Sequence, residues 1–287
     1  MTKECVDSLL KFSNELNILI IDNGSTDSSF NELENEYKFE KKVKLIETGS
    51  NLGYAKGNNY AFKYIRKNFT DIKYVIVMNP DIVIDKKETI VALYDFLESN
   101  DDYSIVSCQT IFNDTWRGFL DYGWKYPSNK NLYWAGTFIG KLFIEDMNER
   151  YSCINVSEET LATTVDVVSG CFFMAKLEDL EQVELFDNRT FLYYEENILS
   201  RKLSSIDKKE AILLNRFVYH NHQSKDKNLV DYKKRLFDRK CFHESKMIYV
   251  NNYSSFSGMR LILCNLINNI DFCIKTILYK ILILLRL

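Results

Sequence analysis

Proline is nearly absent from this chain, with two residues in 287, and glycine is sparse at ten. That scarcity excludes a proline-rich or glycine/serine-rich linker, and with no internal repeat visible nothing marks a hinge between independent domains. An excess of one charge is missing as well. The 37 basic side chains are met by 40 acidic ones, for a formal net charge of −3, so there is no electrostatic footprint for general nucleic-acid binding. The cysteines, seven and therefore odd in number, show neither C-x-x-C spacing nor a dense framework and read as reduced cytosolic thiols. No basic, apolar, small-residue leader is visible at Met1–Ser13, which has the pattern of a short amphipathic helix, an expectation against secretion. A clean apolar run of the roughly 18 residues a span requires is also missing, because Asp271, Lys275, Lys280 and Arg286 interrupt the apolar C-terminus.

What is present is core-forming: 46% of residues are hydrophobic and 14% aromatic. The most informative stretch is V-I-V-M-N-P-D-I-V-I, Val75 to Ile84. Its apolar half fits a buried strand of a parallel sheet. Pro80 then stops ladder pairing where Asn79 and Asp81 place polar groups at the strand end. An earlier apolar run also ends in acid, Leu19-Ile20-Ile21-Asp22, and continues as the polar loop Asn23-Gly24-Ser25-Thr26-Asp27. Ligands of open α/β sheets gather outside the carboxyl ends of strands, so two strands ending in Asp suggest one shared crevice.

Along the chain, short strands alternate with helices. Ser29 and Glu32 have capping-box spacing for a helix over Ser29–Tyr37, and Val43–Ile46 is a strand. The loop Asn51-Leu52-Gly53-Tyr54-Ala55-Lys56-Gly57-Asn58-Asn59 feeds another helix, a place where backbone N–H groups approach an anion. Asp85 with Glu88 reads as the cap of a helix carrying Ile90, Leu93 and Leu97. This order argues a largely parallel sheet with right-handed crossovers. An irregular aromatic stretch follows from Asn113 to Thr163. Val165–Val168 then resumes strand character, Ser169-Gly170 breaks it where a ligand can come close, and Cys171–Ala175 continues it. Glu195 and Glu196 open a helix with Ile198, Leu199 and Leu203 on its apolar side. The pair reads either as capping charge or as a general base facing the crevice. His220 and His222 follow the strand from Ala211 to Tyr219, as loop residues or as phosphate or metal contacts.

Six runs in this order resemble the family 2 glycosyltransferases, especially the rhamnosyltransferase-like bacterial enzymes that build surface polysaccharides. They are I-I-D-N-G-S-T-D at 20–27, N-L-G-Y-A-K-G-N-N at 51–59, M-N-P-D at 78–81, V-S-G-C at 168–171, F-L-Y-Y-E-E-N at 191–197 and H-N-H at 220–222. The resemblance implies an α/β GT-A fold, a Rossmann-like mixed sheet flanked by helices, and a UDP- or dTDP-sugar donor. It implies a donor-nucleotide set of Asp22, Asn23, Ser25, Asn51, Gly53, Asn58, Asn59 and Asn79. Asp81 and His220 would meet Mg²⁺ or Mn²⁺, Glu196 with Glu195 beside it would be the catalytic acid pair, and Ser169, Gly170 and His222 would lie near the acceptor. Inverting transfer to a hydroxyl of a glycan or lipid-linked acceptor follows.

The chain departs from the family pattern in one respect. Members usually begin with an apolar strand ahead of the first helix, whereas Met1–Ser13 matches that helix. The expected sheet therefore lacks a central strand between those ending at Asp22 and Asp81. A start assigned too late, a degraded gene with a non-catalytic product, and another segment filling the slot compete as explanations. The cost of a buried unpaired ladder favours the first. Residues 1–225 are expected to form the catalytic domain. Residues 226–287 would form a helical extension with an apolar face, suited to the inner face of the plasma membrane as a peripheral anchor, or to a partner subunit such as a second copy. A sugar-nucleotide-forming nucleotidyltransferase is disfavoured, because no N-terminal glycine-rich phosphate loop with a basic residue is visible.

Overall fold

The computed structural model describes residues 1–12, 16–112, 122–144, 161–221 and 231–285. In chain order the elements are α1 (Thr2–Leu10), β1 (Ile18–Asp22), α2 (Ser29–Tyr37), β2 (Val43–Glu47), α3 (Gly53–Asn68), β3 (Tyr74–Met78), β4 (Ile82–Val83), α4 (Lys87–Ser99) and β5 (Tyr103–Phe112). There follow β6 (Gly123–Trp124), α5 (Asn129–Trp134), β7 (Ala162–Val165), β8 (Val167–Val168), β9 (Phe172–Lys176), α6 (Leu177–Gln182), α7 (Glu195–Ser204), β10 (Lys209–His220), α8 (Tyr232–Asn252) and α9 (Gly258–Leu284).

The main sheet has six strands in the order β3-β9-β5-β10-β4, with β7 added on β10. Period-2 alternation sends its side chains to two apolar layers. Val75, Val77, Phe173, Ala175, Ile212 and Leu214 pack with Phe62 of α3 and Leu199 and Leu203 of α7. Val106, Cys108, Phe172, Met174 and Leu213 pack on the other side with Ile90, Leu93 and Leu97 of α4, spaced to form one helix face. Full burial of each such side chain is worth about 1.5–3 kcal/mol. Strand β5 is buried from Ser104 to Thr110 because both of its faces are covered.

The parallel sheet expected from the alternation of elements holds for β1–β2 and β5–β10. The main sheet is mixed, because β9 enters antiparallel between β3 and β5, and β4 and β7 pair antiparallel with β10. Strand β3 is therefore an edge of that sheet, not a parallel interior strand.

The sheet is split where the sequence pattern expects a missing strand. Among the described residues β1 and β2 form a two-stranded sheet of their own, and neither pairs with β3. Leu9 of α1 packs both with Val6 and Ile18 and with the layer that includes Tyr74, Ile76 and Met78. Helix α3 touches β1 and packs Ala55 and Phe62 on Val75 and Val77 of β3. Helices thus bridge two strand edges that no ladder joins.

Two of the expected caps form differently. Ser29 is the first helical residue of α2, and the hydroxyl of the preceding Ser28 donates to the Glu32 carboxylate. At α4 the cap position is Lys86 and no side chain caps the helix, so Asp85 does not serve. The C-terminal helices pack on the rest of the chain: Tyr249, Val250, Phe256 and Cys264 share a cluster with Leu132, Tyr194 and Ile198.

Candidate active site

The loops after β1 and β2 are tied together by Asn23. Its amide donates to the Gly53 carbonyl at 3.0 Å, and its carbonyl oxygen accepts the Leu52 N–H at 3.0 Å. Asp22 accepts the Ser25 N–H at 3.0 Å, which folds the acidic strand end into a turn. Asn51 accepts the Gly53 N–H at 2.9 Å. Gly53 has φ +78°, and a Cβ there would lie 2.3 Å from the Phe191 carbonyl oxygen. Only glycine permits that approach at that backbone angle. The 51–53 loop thereby rests on the segment that carries the two glutamates.

That segment is strained. Tyr193 and Tyr194 both have positive φ, 74° and 65°, immediately before α7. Such conformations cost about 1–3 kcal/mol each and persist where the surroundings hold them. Here Phe242 packs on both rings and Tyr249 on Tyr194.

Helix α7 then starts with Glu195 and Glu196 pointing to different surroundings. Glu196 Oε1 accepts the Gly170 N–H at 3.1 Å, beside the turn that ends β8. Glu195 is 2% exposed, and its Oε1 has no hydrogen-bond partner among the described residues. Burial raises the proton affinity of both carboxyls, and for Glu195 the charge of Glu196 adds to it. Glu196 is the member of the pair that reaches the V-S-G-C turn.

From Gly170 the contacts continue to the acidic strand end. The Cys171 carbonyl accepts the Asn79 N–H at 2.8 Å. Asp81 follows, its Oδ2 3.0 Å from His220 Nε2 and its carbonyl bonded by the Asn221 N–H at 2.9 Å. The tyrosine hydroxyl of Tyr122 lies 3.0 Å from His220 Nδ1, and Phe112 meets the imidazole edge-on. Ser169 N–H donates to the Tyr122 carbonyl at 2.8 Å, which links the turn and the histidine.

One network therefore joins Asn23, Asn51, Gly53, Ser169, Gly170, Glu196, Asn79, Asp81 and His220. Asn59 sits apart from this network. It is 3% exposed, and its amide bonds to the Phe186 backbone and to Asn188. Asn58 bonds back to the Tyr54 carbonyl within its own helix. His222 lies outside the described residues. Tyr54 and Tyr122 were not singled out by the sequence, because their partners are far away along the chain.

Among the described residues no three His, Cys, Asp or Glu side chains cluster as a metal set. Asp81 and His220 form a two-member donor set, which suits a hard cation that takes its remaining ligands from phosphate oxygens and water.

The mixed sheet with its flanking helices has the GT-A glycosyltransferase fold, as its structural neighbours show. Mannosyltransferase PcManGT from Pyrobaculum calidifontis, solved with GDP-Man and Mn²⁺, superposes with TM-score 0.54 at 11% identity over 95% of this chain and 68% of that one. S. aureus TarS 1-349 in complex with UDP-GlcNAc gives TM-score 0.52 at 13% identity, over 92% and 66% of the two chains. GalNAc-T7 with UDP, GalNAc and Mn²⁺ gives 0.58 at 12%, over 97% and 54%. The sequence pattern of glycosyl transferase family 2 matches residues 1–152, more than half of the chain, and the protein belongs to that family. Rhamnosyltransferase WbbL of Escherichia coli (strain K12) is 25% identical over 162 residues, which cover 55% of this chain and 56% of that protein. The chain thus aligns with about half the length of this curated relative.

Proposed function

We propose that the protein transfers a glycosyl group, hexosyl or rhamnosyl, from a UDP- or dTDP-sugar to a hydroxyl of a glycan or lipid-linked acceptor, with inversion, in cell-surface polysaccharide synthesis. The observation that carries this reading is Glu196, a carboxylate of raised proton affinity on the Gly170 N–H, one run of contacts from the Asp81–His220 pair. Family membership and the nucleotide-sugar complexes of its structural neighbours support the donor class.

In this reading Glu196 accepts the proton of the acceptor hydroxyl. The acceptor oxygen bonds to the anomeric carbon as the bond to the diphosphate oxygen breaks, and attack from the opposite face inverts the centre. The Asn23-organised loops would hold the nucleoside. Asp81 and His220 would hold Mg²⁺ or Mn²⁺ beside the donor diphosphate. Such a cation, when bound, neutralises charge on the leaving diphosphate. The paired variants separate the roles: Asp81→Asn weakens metal-dependent donor binding, whereas Glu196→Gln spares binding and abolishes transfer. Full transfer by Glu196→Gln would overturn the assignment of the base.

Helix α9 supports a peripheral position at the inner face of the plasma membrane. Its 27 residues are long and apolar enough to cross a membrane by length and composition alone, with 17% of the apolar window buried. Ile262, Leu266, Ile270, Ile274, Ile277 and Ile281 form one exposed stripe. The opposite side is committed to protein through Asn268 and Lys275, which favours lying on a bilayer over crossing it. Flotation with anionic vesicles tests this, and an Ile270→Glu/Ile274→Glu variant is expected to stay in the soluble fraction. Self-association of the parent chain without lipid binding would assign the stripe to a homodimer instead.

The split between β1 and β3 among the described residues favours a second reading, a non-catalytic protein that binds partners or membrane. Turnover by the chain with any UDP- or dTDP-sugar excludes it.

A further inference from the structure

We infer that Tyr54 is a positioning residue for Glu196, acting through Gly170. The inference rests on the reading of Glu196 as the base. Tyr54 stands in the first turn of α3, with its own N–H bonded to the Phe191 carbonyl at 2.9 Å. Its ring meets Phe186 edge-on, with centroids 5.5 Å apart. From that anchorage the hydroxyl donates to the Gly170 carbonyl at 2.7 Å. Gly170 in turn donates its N–H to Glu196 Oε1 at 3.1 Å.

The three groups are in contact. A Cβ on Gly170 would lie 2.6 Å from the Tyr54 hydroxyl oxygen and 2.8 Å from Glu196 Oε1. Tyr54 thus holds one side of Gly170, and the peptide N–H on the other side holds the carboxylate. The phenol is a stable donor, because burial first, and then the charge of Glu196, hold its ionisation well above the ordinary range. Without the hydroxyl the Gly170 carbonyl loses its partner and the 169–171 turn gains freedom. The N–H is then no longer aimed, and Glu196 loses a bond that favours its charged form.

Tyr54→Phe keeps the ring and its packing and removes only this link. With metal-loaded enzyme and saturating donor, kcat is expected to fall about tenfold, short of the roughly 10²–10⁴-fold that outright loss of a general base costs. Donor affinity and melting temperature should stay near the parent's, and the acidic limb of the kcat–pH profile should move to higher pH. A 3-fluorotyrosine at position 54, which keeps the ring's shape and a protonated hydroxyl, should keep kcat near the parent's. Should Tyr54→Phe fold poorly, the 3-fluorotyrosine chain carries the test: its stronger donor should move the acidic limb of the profile to lower pH, and an unmoved limb would overturn the inference. A parent-like kcat and pH profile in Tyr54→Phe, with Glu196→Gln inactive, would overturn the inference and leave the base assignment standing. A loss confined to donor KM would also overturn it, by placing Tyr54 in donor binding. Full activity of Glu196→Gln would remove the base reading itself, and the inference with it.

Discussion

His220 Nε2 lies 3.0 Å from Asp81 Oδ2, and the register of two strands places it there. Strands β10 and β4 pair antiparallel with His220 opposite Ile82, so the last residue of one strand meets the acid that precedes the other. Tyr122 on the second ring nitrogen fixes the imidazole. His220→Ala is accordingly expected to weaken metal-dependent UDP or dTDP binding by about tenfold or more, the range typical of a lost ligand or its supporting partner. Calorimetric titration with and without Mn²⁺ measures it, and an unchanged metal dependence would remove His220 from the cation site.

Glu210 predicts a pH dependence of stability. Burial, the largest influence, raises its carboxyl to about 8 from an ordinary 4.5, while the Val168 N–H at 2.6 Å opposes the rise. Between those two values the folded chain holds a proton that the unfolded chain releases, so stability falls as pH rises through the window. Glu195, raised to about 8 by burial, contributes in the same direction. Thermal melting from pH 5 to 8 should decline, and Glu210→Gln should flatten the slope. A stability rising across this window would contradict both assignments.

The split sheet has a signature in amide exchange. The Ile18 N–H bonds to Lys42 and the Thr48 N–H to Asp22, so Ile18, Ile20 and Asp22 face β2 while Leu19 and Ile21 face the open side. By the same parity, Leu177 to Lys73 and Asn79 to Cys171 turn Val75 and Val77 toward β9, and Tyr74, Ile76 and Met78 away from it. Leu19, Ile21 and Ile76 amides should therefore exchange faster than those of Ile20 and Val77. Equal protection would mean that another segment pairs with these edges in solution.

Gly53→Ala should destabilise the fold by about 1–3 kcal/mol, from a positive φ and the loss of its close approach to Phe191. Urea unfolding reports it. A change below about 0.5 kcal/mol would show that the loop relaxes without strain, as surface substitutions do.

Much of this arrangement was legible in local sequence. The apolar run ending at Asp81, the glycine loop before α3 and the acid pair opening α7 all depend on neighbours in the chain, and the split between β1 and β3 followed from the order of the motifs. What depends on long-range pairing was hidden. Asn59 looks like its neighbours in the 51–59 run, yet it is buried against Phe186. The sequence could not separate Glu195 from Glu196, because successive helical positions point in different directions and only tertiary packing decides which of the two reaches the Gly170 turn. Tyr54 carried no signal, because its hydroxyl bonds to a carbonyl 116 residues away. The antiparallel entry of β9 was equally invisible, since alternation of strands and helices says nothing about strand direction once a long irregular stretch intervenes.

The most direct test of the central claim is calorimetric titration of UDP and dTDP into the 287-residue chain, with and without Mn²⁺. Binding of at least one nucleotide that requires the metal and is lost in Asp81→Asn is the expected result. Absence of binding by both nucleotides with Mn²⁺ present would contradict the enzyme reading and leave the non-catalytic protein as the better description.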